Sequence, residues 1–324
     1  MKILFAMAPF SPALPWDALS PLMPGWEIAT CPRGAAAEHL DGVDVVVTSR
    51  ADASVFAAPR LSLLHQFGVG LDAIDVEAAT QAGVWVARLP AAGTGNGETV
   101  AELAILLMMA VGKHLDTARR NLMSGKWGSP MGLSLFGKRA CILGLGDIGA
   151  AIAERLLPFG MRLIGVRGDI SKPRPQDRLV DALYGAADMA EAVRTADYVV
   201  CAINYNASLA GVIGKELFAA MKRGAIFVNV ARGKLVDEEA LAESLRLGHL
   251  GGAGLDVFAE EPVSPAHPLL HLPNVVATPH IGGNSDAHYH MGARALAKNL
   301  GRYAAGERFD DIVNAPAQPR RALL

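Results

Sequence analysis

The stretch Lys138-Arg139-Ala140-Cys141-Ile142-Leu143-Gly144-Leu145-Gly146-Asp147-Ile148-Gly149 decides the fold of this 324-residue chain. Its first half reads as a short apolar strand. Gly144, Gly146 and Gly149 form a G-x-G-x-x-G turn, and Ala150 to Leu157 reads as an amphipathic helix. Gly160 breaks that helix, and Met161 to Val166 reads as a second strand. Strand, glycine turn, helix and strand within about thirty residues is the setting a dinucleotide fingerprint requires; the bare spacing is a weak signal without it. The first glycine permits the tight turn, the second lets backbone approach a pyrophosphate, and the third lets helix and strand pack closely. The helix N-terminus then faces the anion. Gly144, Gly146, Asp147, Ile148 and Gly149 are therefore expected at a nucleotide.

Outward from this unit the chain alternates strands and helices in two series. The first has strands near Lys2–Ala6, Val43–Thr48, Leu63–Gln66 and Trp85–Ala87, with a helix near Val76–Ala82. The second has strands near Ala140–Leu143, Arg162–Val166, Tyr198–Ala202, Ile226–Asn229, Gly252–Leu255 and Val275–Ala277. Near-continuous apolar runs of this kind suit parallel strands covered on both faces. The alternation predicts an α/β protein with two doubly wound domains. One long helix is expected over Glu98–Asn121, after the glycine-rich Ala91–Gly97, a composition that suits a hinge. A closing helix is expected over Ser285–Gly306, returning the chain to the first domain.

Composition narrows the partners. Net charge is −2, which leaves no electrostatic footprint for nucleic acid or an anionic membrane. The longest apolar run, Leu103 to Val111, is far too short to span a bilayer. Met1–Ala6 reads as a first strand followed by Pro9 and Pro12, where a signal peptide needs a longer apolar region. Cys31, Cys141 and Cys201 make an odd count without metal-type spacing and read as buried thiols of a reducing cytosol. A cytoplasmic enzyme without a metal is expected.

The end of the second strand bears on the cofactor. An NAD-preferring enzyme usually places an acid there to accept hydrogen bonds from the ribose. Here Arg167 stands eighteen residues past Gly149, with Lys172 and Arg174 close behind. That charge suits the 2′-phosphate of NADP. Asp169, twenty residues past Gly149, could still serve the ribose of NAD, and a solvated loop of mixed charge is the third reading.

Three later strand ends carry reactive side chains. Val228-Asn229-Val230-Ala231-Arg232-Gly233 places an arginine after one strand. Gly254-Leu255-Asp256-Val257-Phe258-Ala259-Glu260-Glu261-Pro262 places acids after the next. Thr278-Pro279-His280-Ile281-Gly282-Gly283 places a histidine after the last. Ligands of such sheets bind outside the carboxyl ends of strands.

With these motifs the chain resembles the D-isomer-specific 2-hydroxyacid dehydrogenases, the family of glyoxylate, hydroxypyruvate and phosphoglycerate dehydrogenases. The likeness also includes Gly68-Val69-Gly70-Leu71-Asp72. It includes the spacing as well: twenty-eight residues separate Arg232 from Glu261, and eighteen separate Glu261 from His280. The resemblance implies a Rossmann-type cofactor domain (99–284) inserted into a flavodoxin-like substrate domain (1–98 and 285–324). It implies that Arg232 binds substrate, Glu261 partners the histidine and His280 is the acid–base. Val69 and Gly70 would hold the substrate carboxylate by their N–H groups. Asp256 would accept a hydrogen bond from the nicotinamide amide, with Ala231 and Gly282 also at the cofactor. Arg50 is the one added candidate for a phosphorylated substrate.

Physics supports those roles independently. Reduction of a 2-keto acid needs hydride on carbon and a proton on oxygen, and imidazole is the side chain best matched to neutral pH for that proton. A carboxylate beside the ring favours the imidazolium and fixes its orientation. An arginine fork can hold a carboxylate and polarise a carbonyl. His267, His271, His288 and His290 are scattered and read as surface or structural residues.

Some residues depart from the family pattern. Ala202-Ile203-Asn204-Tyr205-Asn206 replaces a His-x-Pro segment of many relatives, so its cofactor contacts are not carried over. The chain stops soon after the closing helix, so an appended regulatory domain is not expected. Val69 stands where phosphite-oxidising relatives carry lysine, and Glu261 where formate-oxidising relatives carry glutamine. A cofactor-sensing corepressor is a further alternative, and the intact Arg232–Glu261–His280 set argues against it. The expected activity is NAD(P)H-dependent reduction of a small 2-keto acid, with glyoxylate or hydroxypyruvate foremost. The helix Thr99–Val111 is apolar around much of its circumference, beyond the single stripe a surface helix needs. Burial inside the monomer accounts for part of this; relatives dimerise through this region, so the resemblance implies a homodimer.

Overall fold

The structure, a computed structural model, describes residues 1–8, 19, 21 and 23–324; Pro9 and Pro12 lie outside the described residues. The chain forms two compact units, Met1–Asn96 with Asn284–Leu324, and Gly97–Gly283.

The first unit is built on a five-stranded parallel sheet. Its strands are β1 (Lys2–Ala8), β2 (Glu27–Pro32), β3 (Val45–Thr48), β4 (Leu63–Gln66) and β5 (Trp85–Arg88), in the order β2-β1-β3-β4-β5. This is the flavodoxin-like order of a doubly wound sheet. Val45, Val46 and Val47 are all buried, so β3 is apolar on both faces. Helix Val76–Gln81 starts where the Asp75 carboxylate accepts the Ala78 N–H (2.8 Å). Such a cap contributes about 1 kcal/mol. The closing helix, Asp286–Ala304, does return to this unit. Tyr289, Ala293, Leu296, Leu300 and Tyr303 pack into the cluster formed by Ile3, Phe5, Val45, Val47 and Leu63.

The second unit holds a seven-stranded parallel sheet. Its strands are β6 (Arg139–Leu143), β7 (Arg162–Arg167), β8 (Ala182–Gly185), β9 (Tyr198–Cys201), β10 (Ile226–Asn229), β11 (Gly252–Leu255) and β12 (Val275–Ala277). The order β12-β11-β10-β9-β6-β7-β8 reverses direction between β6 and β9. That topological switch point is where sheets of this kind bind ligands. One apolar cluster covers each face. Helix Asn96–Gly112 supplies Leu103, Leu107, Met108 and Val111 to the cluster that includes Ile142, Val200 and Val228.

One expectation is corrected here. The single helix over Glu98–Asn121 is two, Asn96–Gly112 and Leu115–Met123, because His114 takes a left-handed backbone (φ 51°) that an α-helix cannot carry through. The apolar circumference of the first helix is spent inside its own unit: Val100, Leu103, Ile105, Leu107 and Met108 are buried, and only Leu106 of that set is exposed. Strands β2 and β8 were not expected at all; both lie on sheet edges.

All three cysteines are buried, and burial pushes the thiols of Cys141 and Cys201 up to about 12. Among the described residues no helix is long and apolar enough to cross a membrane, and no group of three or more His, Cys, Asp or Glu could hold a metal ion.

His65, at the core of the first unit, faces Gln66 O through Nδ1 (3.0 Å), while Asn299 Nδ2 donates to its Nε2 (3.1 Å). The ring is therefore neutral with the proton on Nδ1. Burial lowers its pKa to about 4, against the smaller opposing pull of the Gln66 carbonyl. Between about 6.5 and 4 the unfolded chain binds a proton that the folded chain refuses, so stability falls as pH falls through that window. The loss attributable to His65 is about 3 kcal/mol at the low end. Urea unfolding at pH 7 and pH 5 should show this, and His65→Gln should show a flatter dependence. An equally steep dependence in the variant would remove His65 as its source.

Candidate active site

The glycine turn sits at the switch point. Gly144 adopts φ 97°, and a Cβ there would lie 2.6 Å from the Ala202 carbonyl at the end of β9. A Cβ on Gly149 would run into Gly144 O, so strand and helix meet without room for a side chain. Above Gly146 the space is open, with nothing within 4 Å of an added Cβ. Helix Asp147–Leu156 follows with no side-chain cap at Gly146. Its first N–H groups thus lack intrahelical partners beside open space, the arrangement that accepts a phosphate. The residues present therefore fit a dinucleotide, with Gly144, Gly146, Asp147, Ile148 and Gly149 on the cradle.

Arg167 does not stand there as a free cation. It ends β7, is 6% exposed, and is gripped by Asp177: Nε donates to Oδ1 (3.1 Å) and Nη2 to Oδ2 (2.9 Å). Nη2 also donates to Lys172 O (2.6 Å). Asp169 turns to Ser171, whose N–H and hydroxyl both donate to its Oδ1 (2.9 and 2.6 Å). The Ser171 hydrogen bonds hold the Asp169 carboxyl below the usual range. Lys172 and Arg174 are exposed.

The reactive set is assembled by strand ends of the second unit. Asn229, the last residue of β10, is buried, and its side chain accepts the Ala231 N–H (3.0 Å) and donates to Arg232 O (3.0 Å). That clamp fixes the turn from which Arg232 projects, half-buried. The Arg232 Nη1 donates to Ala231 O (2.7 Å). One strand over, Asp256 N–H donates to Asn229 O (3.0 Å), and His280 N–H donates to Asp256 O (2.8 Å). The Asp256 side chain, 2% exposed, accepts three hydrogen bonds. Thr278 Oγ1 (2.6 Å) and Ile281 N–H (2.8 Å) donate to Oδ1, and Gly282 N–H (2.8 Å) donates to Oδ2. These bonds wrap the Thr278–Gly282 loop around one buried carboxylate. His280 lies at its crest with φ 54°. A non-glycine residue in that region is uncommon, and histidine is among those that tolerate it.

Glu261 meets His280 at the rim: Nδ1 stands 2.7 Å from Oε2. The other oxygen, Oε1, accepts the Phe258 N–H (3.0 Å). Burial works to raise the Glu261 carboxyl, but the His280 hydrogen bond and charge, the Phe258 N–H and the Arg232 charge outweigh it and hold it below the usual range. The Glu261 carboxylate is therefore ionised throughout the neutral range and fixes the proton of the ring on Nδ1. Arg232, Glu261 and His280 thus follow the neighbouring strands β10, β11 and β12.

Val69, Gly70 and Arg50 belong to the first unit, at the carboxyl ends of β4 and β3. Two residues that sequence reasoning passed over hold the Gly68–Gly70 loop there. Gln66 Nε2 donates to Gly70 O (3.0 Å), and Arg88 Nη1 donates to Val69 O (3.0 Å). A charged residue ending an otherwise apolar strand was the available signal for Arg88. Arg50 is exposed.

Residues 105–282 match the family described as D-isomer specific 2-hydroxyacid dehydrogenase, NAD binding domain. This chain belongs to that family. It is 37% identical over 281 residues to a glyoxylate reductase of Korarchaeum cryptofilum, covering 85% of this chain and 82% of that one. It is 36% identical over 268 residues to a D-3-phosphoglycerate dehydrogenase of Methanocaldococcus jannaschii, which covers 82% of this chain but 50% of the relative. The chain thus spans about half the length of that relative. An NADPH-dependent glyoxylate/hydroxypyruvate reductase from Sinorhizobium meliloti, solved with NADP and malonate, superposes with TM-score 0.81 at 29% identity over 99% of both chains.

Asp256→Asn should test the loop anchor. The amide cannot accept all three hydrogen bonds and turns a donor toward backbone N–H groups, at a cost of about 1–3 kcal/mol. Urea unfolding should register that loss, with faster hydrogen exchange at Ile281 and Gly282. A variant as stable and as protected as the parent would show that Asp256 does not hold the loop.

Proposed function

We propose that this protein reduces a small 2-keto acid, glyoxylate or hydroxypyruvate, to the D-2-hydroxy acid with NAD(P)H. The observation that carries the reading is the His280 Nδ1–Glu261 Oε2 contact of 2.7 Å, on strand ends next to the one bearing Arg232. The bound nicotinamide supplies the hydride. Glu261 keeps a proton on Nδ1, so Nε2 is the atom that gives a proton to the carbonyl oxygen during reduction and takes it back during oxidation. Arg232 offers its planar fork to the substrate carboxylate and carbonyl, stabilising charge that develops on oxygen. Val69 and Gly70 hold the substrate carboxylate through their N–H groups, and Arg50 is the residue available to a larger anionic substrate. Asp256 accepts the nicotinamide amide on a lone pair left over from its three loop bonds, with Ala231 and Gly282 alongside. NADPH is the proposed reductant, because Arg167, Lys172 and Arg174 outnumber Asp169 and Asp177 at the end of β7.

His280→Ala should lower glyoxylate turnover by about 10²–10⁴-fold and leave NAD(P)H binding nearly unchanged. Reduction takes up one proton and oxidation releases one, so raising pH should move the measured equilibrium toward the keto acid. Glu261 stays ionised until pH falls below the usual carboxylate range, so its support for the ring is lost only in acid. Near-normal turnover by the variant would sink the mechanism.

A homodimer is proposed, with the segment that follows the helix Asn96–Gly112 as part of its surface. Leu115, Leu122, Met123, Trp127, Met131 and Phe136 are exposed, Trp127 and Met131 at 89% and 92%. Monomers rarely leave so many large apolar side chains in one segment open to water. Light scattering should give twice the monomer mass at micromolar concentration, and Trp127→Glu with Met131→Glu should halve it. A monomer mass for the parent would refute the dimer.

A further inference from the structure

The Arg167–Asp177 pair is an unusual feature for a nucleotide site. Arg167 ends the strand next to β6, which leads into the glycine turn. Its guanidinium carries five donor hydrogens. The Nε and Nη2 donors are spent on Asp177 and Lys172 O. The remaining nitrogen, Nη1, is buried with no hydrogen-bond partner among the described residues. Leaving a buried donor unmet is costly, so Nη1 is the one donor of the fork still open to a partner. The Asp177 side chain is 20% exposed and the Arg167 side chain 5%, so the acid stands on the solvent side of the pair. It lies on the short turn Pro175–Leu179, where it also accepts the Arg174 N–H (2.9 Å). The neighbouring Gln176 donates to Leu145 O, within the glycine turn (3.4 Å). The acid that neutralises Arg167 is therefore tethered to the cradle proposed to hold the pyrophosphate.

We propose that Asp177 sets the cofactor preference, by occupying the Arg167 fork that a 2′-phosphate would otherwise take. The inference rests on the NAD(P)H reading above and deepens it. A 2′-phosphate approaching the Arg167 fork brings up to two negative charges beside the Asp177 carboxylate. It must either displace that carboxylate from Nε and Nη2 or bind against its repulsion. The 2′-hydroxyl of NADH brings no charge and makes no such demand. Asp177 thus restrains NADPH binding selectively and keeps both cofactors usable.

Titration of the intact protein with NADPH and with NADH, followed by cofactor or tryptophan fluorescence, tests this without turnover. Asp177→Asn keeps the shape and removes the charge. It should tighten NADPH by about tenfold or more, the worth of one charge-assisted hydrogen bond, and change NADH by less than about twofold. Asp177→Glu retains the charge and should bind NADPH no tighter than the parent. In an Arg167→Ala background the gain from Asp177→Asn should shrink severalfold, because no fork remains to be released. Should Asp177→Asn fail to fold by circular dichroism, Asp177→Ser against Asp177→Glu supplies the same comparison. Equal tightening of both cofactors, or no change in NADPH, would overturn the role of Asp177. A parent protein that binds neither cofactor would instead overturn the dehydrogenase reading itself.

Discussion

The buried carboxylate of Asp256 is the constraint on which the rest of the candidate site depends. A carboxylate out of water is costly unless hydrogen bonds replace its hydration. Here the replacement comes from Thr278, Ile281 and Gly282, the loop that carries His280. The main chain of the same residue links Asn229 on one side to His280 on the other. Asn229 in turn clamps the turn behind Arg232. Three strand ends are therefore tied by backbone and buried polar side chains, and the reactive groups ride on that frame. A left-handed backbone at His280 is sustained because its neighbours are over-determined.

The outer pair, His280 and Glu261, works under the opposite condition. Both side chains keep substantial solvent contact, so their mutual attraction is partly screened. Their role is orientation more than stability. Glu261 fixes which ring nitrogen holds its proton, and the frame beneath decides where the other nitrogen points. Rigidity is thus concentrated in the support and exposure in the His280–Glu261 pair, the arrangement that the proposed proton transfer would use.

Much of the fold was legible because parallel strands covered on both faces must be apolar throughout. Val45, Val46, Val47 and Tyr198–Cys201 announce themselves for that reason, while Leu63–Gln66 is apolar only in its first half and buries His65 and Gln66 as polar residues. The two strands that escaped notice, Glu27–Pro32 and Ala182–Gly185, are edge strands with mixed exposure, and an edge strand need not be apolar. The break at His114 was also invisible, since nothing in Lys113-His114-Leu115 forbids a helix. The apolar surround of Asn96–Gly112 carries less: hydrophobicity announces burial but does not say whether the covering surface is the same chain or a second copy.

The sequence by itself determined the two series of parallel strands, the nucleotide turn and the family. It also determined the strand ends that carry Arg232, Glu261 and His280. Those features depend on local spacing and on residue types that few other environments accept. Only the tertiary structure decided how the charges at the end of β7 are spent. Arg167, Lys172 and Arg174 read as a phosphate site in sequence, yet Asp177 takes the Arg167 fork from ten residues away. A charge in a sequence declares what it could bind. Which partner it keeps is set by distance in space, and that distance exists only once the chain has folded.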